Sequence, residues 1–389
     1  MRTHLCFLLL FAALTASATE KPVATIPFRL VDNRIFIPVR INGHGPFPML
    51  FDTGGRNLVH THYAQRLQLD VADAGTSSGT GGGVVKRGRT MLREVQVGPI
   101  VMKDQPAVVM EAHDAAHVFG TFEFAGLVGR ELMEAYVIRI DYQRRELTFF
   151  DKSYEYRGSG EIVVTDEAFD IPVIRGRIDG AEARLGLDTG ARTSIVLYAG
   201  FLAEHRIRER YQPKFSGITG WGIGGPIRTD LARIDSVTLG TAQVRRPVAR
   251  FTLMTTGLTT SNAISALIGP DLLKRFILIV DAPRNRVIFE QSSAFGAAEI
   301  YDRSGMWIGQ EKDAFVVLDV MKGSPADAAG LMVDDRILAI DGKIAKRLLL
   351  PDVRERFRTD PEGTVIVMMT ERGGKRVTRK LVVRDFLAG

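Results

Sequence analysis

Phe51-Asp52-Thr53-Gly54 closes an apolar strand that begins after Arg40-Ile41-Asn42-Gly43. The chain then repeats itself: Arg177-Ile178-Asp179-Gly180 leads through a second apolar strand to Leu187-Asp188-Thr189-Gly190. One Asp-Thr-Gly is an ordinary turn after a strand. Two in matched settings are a duplication, and a repeat is read before single elements because it sets the architecture. The duplication extends further, since Leu127 to Phe150 aligns without a gap on Leu267 to Glu290. Each Asp-Thr-Gly is thereby followed, at a similar distance, by two apolar residues and a glycine: Leu127-Val128-Gly129 and Leu267-Ile268-Gly269. Two copies of one supersecondary unit predict a bilobed body.

Within each copy the period is that of strands. Val137 to Asp141 followed by Arg145 to Phe149, and Phe276 to Val280 followed by Arg286 to Phe289, alternate as paired strands around a short turn. The fold class expected is all-β, with short helices at Tyr63 to Leu67, at Tyr198 to His205, and after Gly129 and Gly269. Glycine-rich hairpin tips stand in both copies, at Gly79 to Gly83 and Gly217 to Gly225.

Composition sets the outer bounds. The 389 residues are 45% hydrophobic and 25% charged, which excludes a disordered, collagenous or multi-span membrane chain. Lys and Arg number 51 against 45 Asp and Glu, a net +6 that is scattered rather than blocked, so no nucleic-acid partner is expected. Residues 1–18 have a basic start, an apolar run from Leu5 to Ala13 and small residues Ala16 and Ala18, the pattern of a cleaved secretory signal peptide. An uncleaved anchor is the alternative, although the run is shorter than the ~20 residues a spanning helix needs. The single cysteine, Cys6, lies within that segment, so disulfides cannot staple the exported chain.

The two Asp-Thr-Gly loops and their supporting glycines resemble the aspartic proteases of the pepsin and retropepsin type, over Val23 to Gln291. The resemblance implies lobes at residues 19–155 and 156–292, with Asp52 and Asp188 as a catalytic dyad made within one chain and a monomeric enzyme. Gly129 and Gly269 would support the loops, and Thr53 and Thr189 would hydrogen-bond across the lobe interface. Gly54 and Gly190 permit close backbone approach. Two carboxyls within hydrogen-bond reach cannot both ionise, so one keeps a proton; the ionised one can activate water while the neutral one donates to the scissile carbonyl. No cofactor or metal is required.

This sequence departs from pepsin after the glycine, where Gly55 and Ala191 replace Ser or Thr. Without a hydroxyl to donate to the carboxylates, the dyad is expected to titrate higher, toward weakly acidic to neutral pH. Arg56 and Arg192 follow in both copies, and Glu131 and Asp271 follow the supporting glycines. They suggest ion pairs Arg56–Glu131 and Arg192–Asp271, or else four independent surface charges. The hairpin tips, with Gly81, Gly82, Trp221 and Gly222, are candidate flaps over an extended peptide or ordinary surface hairpins. Trp221 would contact substrate or pack on its own lobe.

Beyond a linker at Gln291 to Gly296 the pattern changes. Gly323-Ser324-Pro325-Ala326, Ala329-Gly330-Leu331, Asp335-Arg336-Ile337 and Asp341-Gly342 are similar to a bacterial-type PDZ domain, expected over residues 300–389. Such domains add a peptide strand to a sheet edge and hold a C-terminal carboxylate in a backbone nest. Here the nest would be Gly305, Met306, Trp307 and Ile308, with Trp307 narrowing or blocking it; a partner-docking PDZ domain is the alternative. His60 with His62, and His113 with His117, have spacings worth a metal check but belong to no recognisable ligand set. The function expected is an exported, periplasmic aspartic endopeptidase acting on polypeptides, with peptide or protein C-termini as PDZ partners and no stable membrane span. The rival is an inactive scaffold that binds peptides or unfolded proteins through the cleft and PDZ domain.

Overall fold

The computed structural model describes residues 21–111 and 115–387, so the expected signal peptide and His113 lie outside the described residues. Each repeat opens with a hairpin whose turn the sequence specifies. Asn42-Gly43 joins strand Arg34–Ile41 to His44–Phe51, and Asp179-Gly180 joins Ile171–Ile178 to Ala181–Leu187. All four turn residues have positive φ, 50° and 81° in the first copy and 51° and 86° in the second. That is the two-residue turn for which Asn-Gly and Asp-Gly are the favoured pairs, because it matches the twist of the flanking strands.

The second strand of each hairpin then runs parallel to a short strand from late in the repeat. Met49, Leu50 and Phe51 pair with Gly126, Leu127 and Val128; Leu185, Gly186 and Leu187 pair with Ala266, Leu267 and Ile268. Strands Leu58–His60 and Ile195–Leu197 lie antiparallel on the other side of these short strands. The Asp-Thr-Gly turns emerge between them. Helices follow the supporting glycines at Arg130–Ala135 and Pro270–Leu273, and others lie at Thr61–Arg66 and Ala199–Glu204.

A shared antiparallel sheet joins the copies. Strand Ala24–Pro27 pairs with Glu146–Phe150, which pairs with Val137–Asp141, and this last strand pairs with Phe276–Asp281 of the second copy. Arg139 faces Ile279, its equivalent in the ungapped repeat alignment, so a local twofold axis passes through that pair. One apolar core, from Ile35 and Phe51 to Ile268 and Phe276, runs through both lobes.

The C-terminal unit has a separate core, including Ile308, Phe315, Phe357, Ile366 and Leu381. Its sheet runs Met306–Glu311, Ala314–Val320, Arg336–Ile340, Val365–Arg372, Lys375–Val382, with Met306–Glu311 as an edge. Ser324 caps the short helix Pro325–Ala328 by accepting from the Asp327 amide, with proline in its first turn. The longer helix Leu350–Thr359 buries Arg354 and Arg358, one turn apart. Both arginines reach toward the bilobed body rather than solvent.

Candidate active site

Asp52 and Asp188 stand side by side, half-buried, with both carboxyls against Gly54 and each weighing on the other's ionisation. Their placement is set by backbone bonds beneath each loop: the Asp52 amide donates to Val128 O and the Asp188 amide to Ile268 O, each 2.9 Å. The threonines lock the loops together. Thr53 Oγ1 donates to Leu187 O at 2.8 Å and accepts from the Thr189 amide at 3.0 Å; Thr189 Oγ1 donates to Phe51 O at 2.9 Å and accepts from the Thr53 amide at 3.0 Å. These four reciprocal bonds satisfy every polar group the two hydroxyls bury.

The two carboxyls are not electrostatic equals. Asp188 Oδ1 accepts from the Gly190 and Ala191 amides at 2.7 and 3.0 Å, whereas Asp52 Oδ1 accepts from the Gly54 amide alone, at 2.8 Å. Burial and the adjoining Asp188 carboxylate push Asp52 well above the ordinary carboxylate range. Burial raises Asp188 too, but the adjoining Asp52 and the two loop amides hold it down. Two amide donors against one favour the negative charge on Asp188, and the pair titrates as a unit. The upward direction matches the expectation from Gly55 and Ala191, but burial and mutual repulsion are the larger causes. A Cβ at Gly55 would lie 3.1 Å from Asp52 Oδ2, so the position does face the carboxyl.

The aspartyl protease family model matches residues 37–132, the span that carries Asp52 and Gly129, and a PDZ domain model matches residues 316–368. This chain carries an aspartyl protease-like domain and a PDZ domain. Among solved structures, the aspartic proteinase from Irpex lacteus is similar at 14% identity, covering 71% of this chain and 99% of that one with a TM-score of 0.45. No curated protein matches the sequence.

The protease-like body encloses a cleft of about 340 Å³ lined by both aspartates, by Leu50, Phe119 and Phe124 of the first lobe, and by Ile171, Val196 and Tyr198 of the second. Its roof is made by both glycine-rich hairpins. The Gly81 amide donates to Ile223 O and the Gly83 amide to Gly224 O, each at 3.1 Å, so the tips meet each other. Gly82 accepts at its carbonyl from Thr256 Oγ1 at 3.3 Å, and Gly222 lines the cleft. Trp221 also lines it, yet its ring lies 4.6 Å from that of His117 and packs on the first lobe's apolar cluster, across from its own lobe. His60, at the cleft wall, bonds to Phe124 O and is driven down to about 4 by burial.

The ion pairs suggested by the repeat are not made. Arg56 forms a bidentate pair with Asp170 of the opposite lobe, both bonds 2.9 Å, while Glu131 accepts from the Asn57 amide at 2.8 Å. Arg192 pairs with Asp32 of the opposite lobe at 3.0 Å, while Asp271 takes Lys274, Asn33 and Arg358. The physical reason is the twofold: each loop arginine points across the axis to the hairpin turn of the other lobe, not back along its own. Aligning Arg40-Ile-Asn-Gly on Arg177-Ile-Asp-Gly places Asn33 opposite Asp170, so both arginines reach equivalent turns, but nothing in the sequence marks those turns as their partners.

In the PDZ domain the four expected nest residues lie together but do not present an open nest. The Gly305 amide donates to Asp302 Oδ1 and the Met306 amide to Ser304 Oγ. Trp307 and Ile308 are buried, with the Arg354 guanidinium 3.9 Å above the Trp307 ring. The edge strand is covered from the first lobe by the short helix Ala115–Val118. Arg354 donates to Ile308 O, His117 O and Val118 O, and the Thr121 amide donates to Gln310 of the edge strand. Asp319 accepts from the Ile218 amide, at 2.6 Å, tying the PDZ domain to the second roof hairpin.

Proposed function

We propose that the protein is an aspartic endopeptidase in which the ionised Asp188 takes a proton from a bound water and the protonated Asp52 donates to the scissile carbonyl. The observation that carries this reading is the adjacent pair of half-buried carboxyls with unequal donor sets, locked by reciprocal threonines under a two-hairpin roof. Tight placement supplies orientation, and the shared proton supplies acid and base from two identical side chains. Both aspartates come from one chain, so a monomer suffices. The roof tips must part for an extended polypeptide to enter, which makes Gly81, Gly82, Trp221 and Gly222 its first contacts.

The domain limits proposed are 19–155, 156–292 and 300–389, after a signal peptide at residues 1–18 that would deliver the chain to the periplasm. Among the described residues no helix is long and apolar enough to cross a membrane. Peptide or partner binding by the PDZ domain would require the segment around His117 to leave the edge strand. Cleavage of a diverse peptide mixture from acidic to neutral pH, by the wild type beside Asp52→Asn and Asp188→Asn, tests the reading. Cleavage lost in both variants is expected. A rate maximum below about pH 3 would contradict the raised dyad. Silence of the folded wild type at every pH would favour the peptide-binding scaffold.

A further inference from the structure

Beside the second catalytic loop lies a cluster of buried charge. Arg34 Nε donates to Gly190 O at 2.7 Å, and its Nη1 donates to Asp32 Oδ2 at 2.6 Å. Asn33 Nδ2 donates to Arg192 O at 2.9 Å and to Asp271 Oδ1 at 2.9 Å. Two carbonyls of the Asp188 loop are thus gripped by neighbouring side chains of the first lobe. Each gripping side chain is backed by a buried carboxylate, Asp32 or Asp271.

The PDZ helix reaches both carboxylates. Arg354 Nη1 lies 3.6 Å from Asp32 Oδ2, and Arg358 bonds to Asp271. The first catalytic loop is held differently: the Arg130 amide donates to Gly55 O, Arg56 and Arg130 meet an Asp170 that is 41% exposed, and the counterpart of Arg34 in the repeat is Ile171. Resting on the protease reading, we propose that Arg354 and Arg358 are positioning residues for the second catalytic loop. They act through Asp32–Arg34 and Asp271–Asn33, so the PDZ domain completes the active site. A buried carboxylate is stable as an anion only while paired and hydrogen-bonded. With Arg354 gone, Asp32 keeps Arg34 and Arg192 but loses the cation on its PDZ-facing side, and the carboxylate that aims Arg34 at Gly190 is held less firmly.

Arg34 also draws both catalytic carboxyls toward ionisation. The other charged or titratable groups facing the dyad among the described residues are Tyr142 and Tyr198, which feel Asp188, and His60, Glu111 and Arg192 on the cleft wall.

The experiment uses the full chain as wild type, Arg354→Met, Arg354→Lys and Arg34→Met. Arg372→Met, which breaks a pair with Asp335 within the PDZ domain, serves as a control for loosening that domain. Amide hydrogen exchange is read at Asp188–Thr193 and, for comparison, at Asp52–Asn57. Arg354→Met is expected to speed exchange about tenfold or more in the second loop only, and to lower kcat about 10- to 100-fold with little change in KM. Arg354→Lys should restore most of both. Arg34→Met should move both limbs of the pH–rate profile upward, because a cation that favoured ionisation is gone. Unchanged loop exchange in Arg354→Met, equal acceleration in both loops, or the same effect from Arg372→Met would overturn the proposal. If the wild type cleaves nothing, the exchange comparison still decides this inference while the protease reading fails.

Discussion

The two glycines of the paired motif look interchangeable in sequence, and the structure makes them unequal. A Cβ at residue 190 would lie 2.4 Å from both Cγ and Oδ2 of Asp52, whereas one at residue 54 would meet Asp188 Cγ no closer than 3.2 Å. The first approach is about 1 Å inside van der Waals contact, near ~3.5 Å between carbons. The second asks its neighbour to give only a few tenths of an ångström. Neither side of the first clash can yield freely, because Arg34 holds Gly190 O and the Asp52 carboxyl is bonded to the Gly54 amide. Gly190→Ala should therefore cost about 1–3 kcal/mol of stability, the range for overpacking a tight site. It should also lower kcat about 100-fold or more as the dyad is displaced. Gly54→Ala meets two opposing effects: mild crowding, and a gain of about 0.4–1 kcal/mol from a less flexible unfolded chain. It should be close to neutral in stability and lose far less activity. Urea denaturation and peptide cleavage on both variants test the asymmetry. Equal losses, or a greater loss in Gly54→Ala, would refute the placement of the carboxyls.

Two further predictions concern charge. Asp170→Asn removes two cross-lobe pairs of an exposed carboxylate, with Arg56 and Arg130, and should cost about 1 kcal/mol or less, shrinking in high salt. Asp271→Asn strips buried Arg358 of its partner and should cost about 3–5 kcal/mol at any ionic strength; similar costs in urea melts would contradict their assigned burial. Glu299 is pushed up to about 7 by burial and by Asp271, against hydrogen bonds from Ser194 Oγ and the Val248 amide. The folded state then binds more protons than the unfolded one between the ordinary glutamate range and about 7, so this group makes stability fall as pH rises through that window. Glu299→Gln should raise stability at pH 7–8 relative to wild type and bring little gain near pH 4. A pH-independent difference would show that Glu299 does not titrate there.

The sequence alone carried the all-β class, the duplication with its Arg-Ile-Asn/Asp-Gly landmarks, and the repeated placing of Asp52 and Asp188. Such features are written locally: strand alternation and a repeated motif each depend on residues a few positions apart. It also placed the glycine-rich tips, because Gly79 to Gly83 and Gly217 to Gly225 stand out by composition. What Trp221 packs on was not legible there, since its apolar neighbours belong to the other copy. The arginine pairings were misjudged for the same reason. A charge after Asp-Thr-Gly has several candidate partners along the chain, and only the twofold arrangement sends Arg56 to Asp170 and Arg192 to Asp32. The PDZ motif was legible, but the covering of its edge strand by the first lobe and the reach of Arg354 and Arg358 were not. Those contacts join segments more than two hundred residues apart in some cases, as between Arg354 and Val118. No sequence period records such contacts, because they form only when separately folded surfaces exclude water between them and leave buried charges to find the nearest opposite charge.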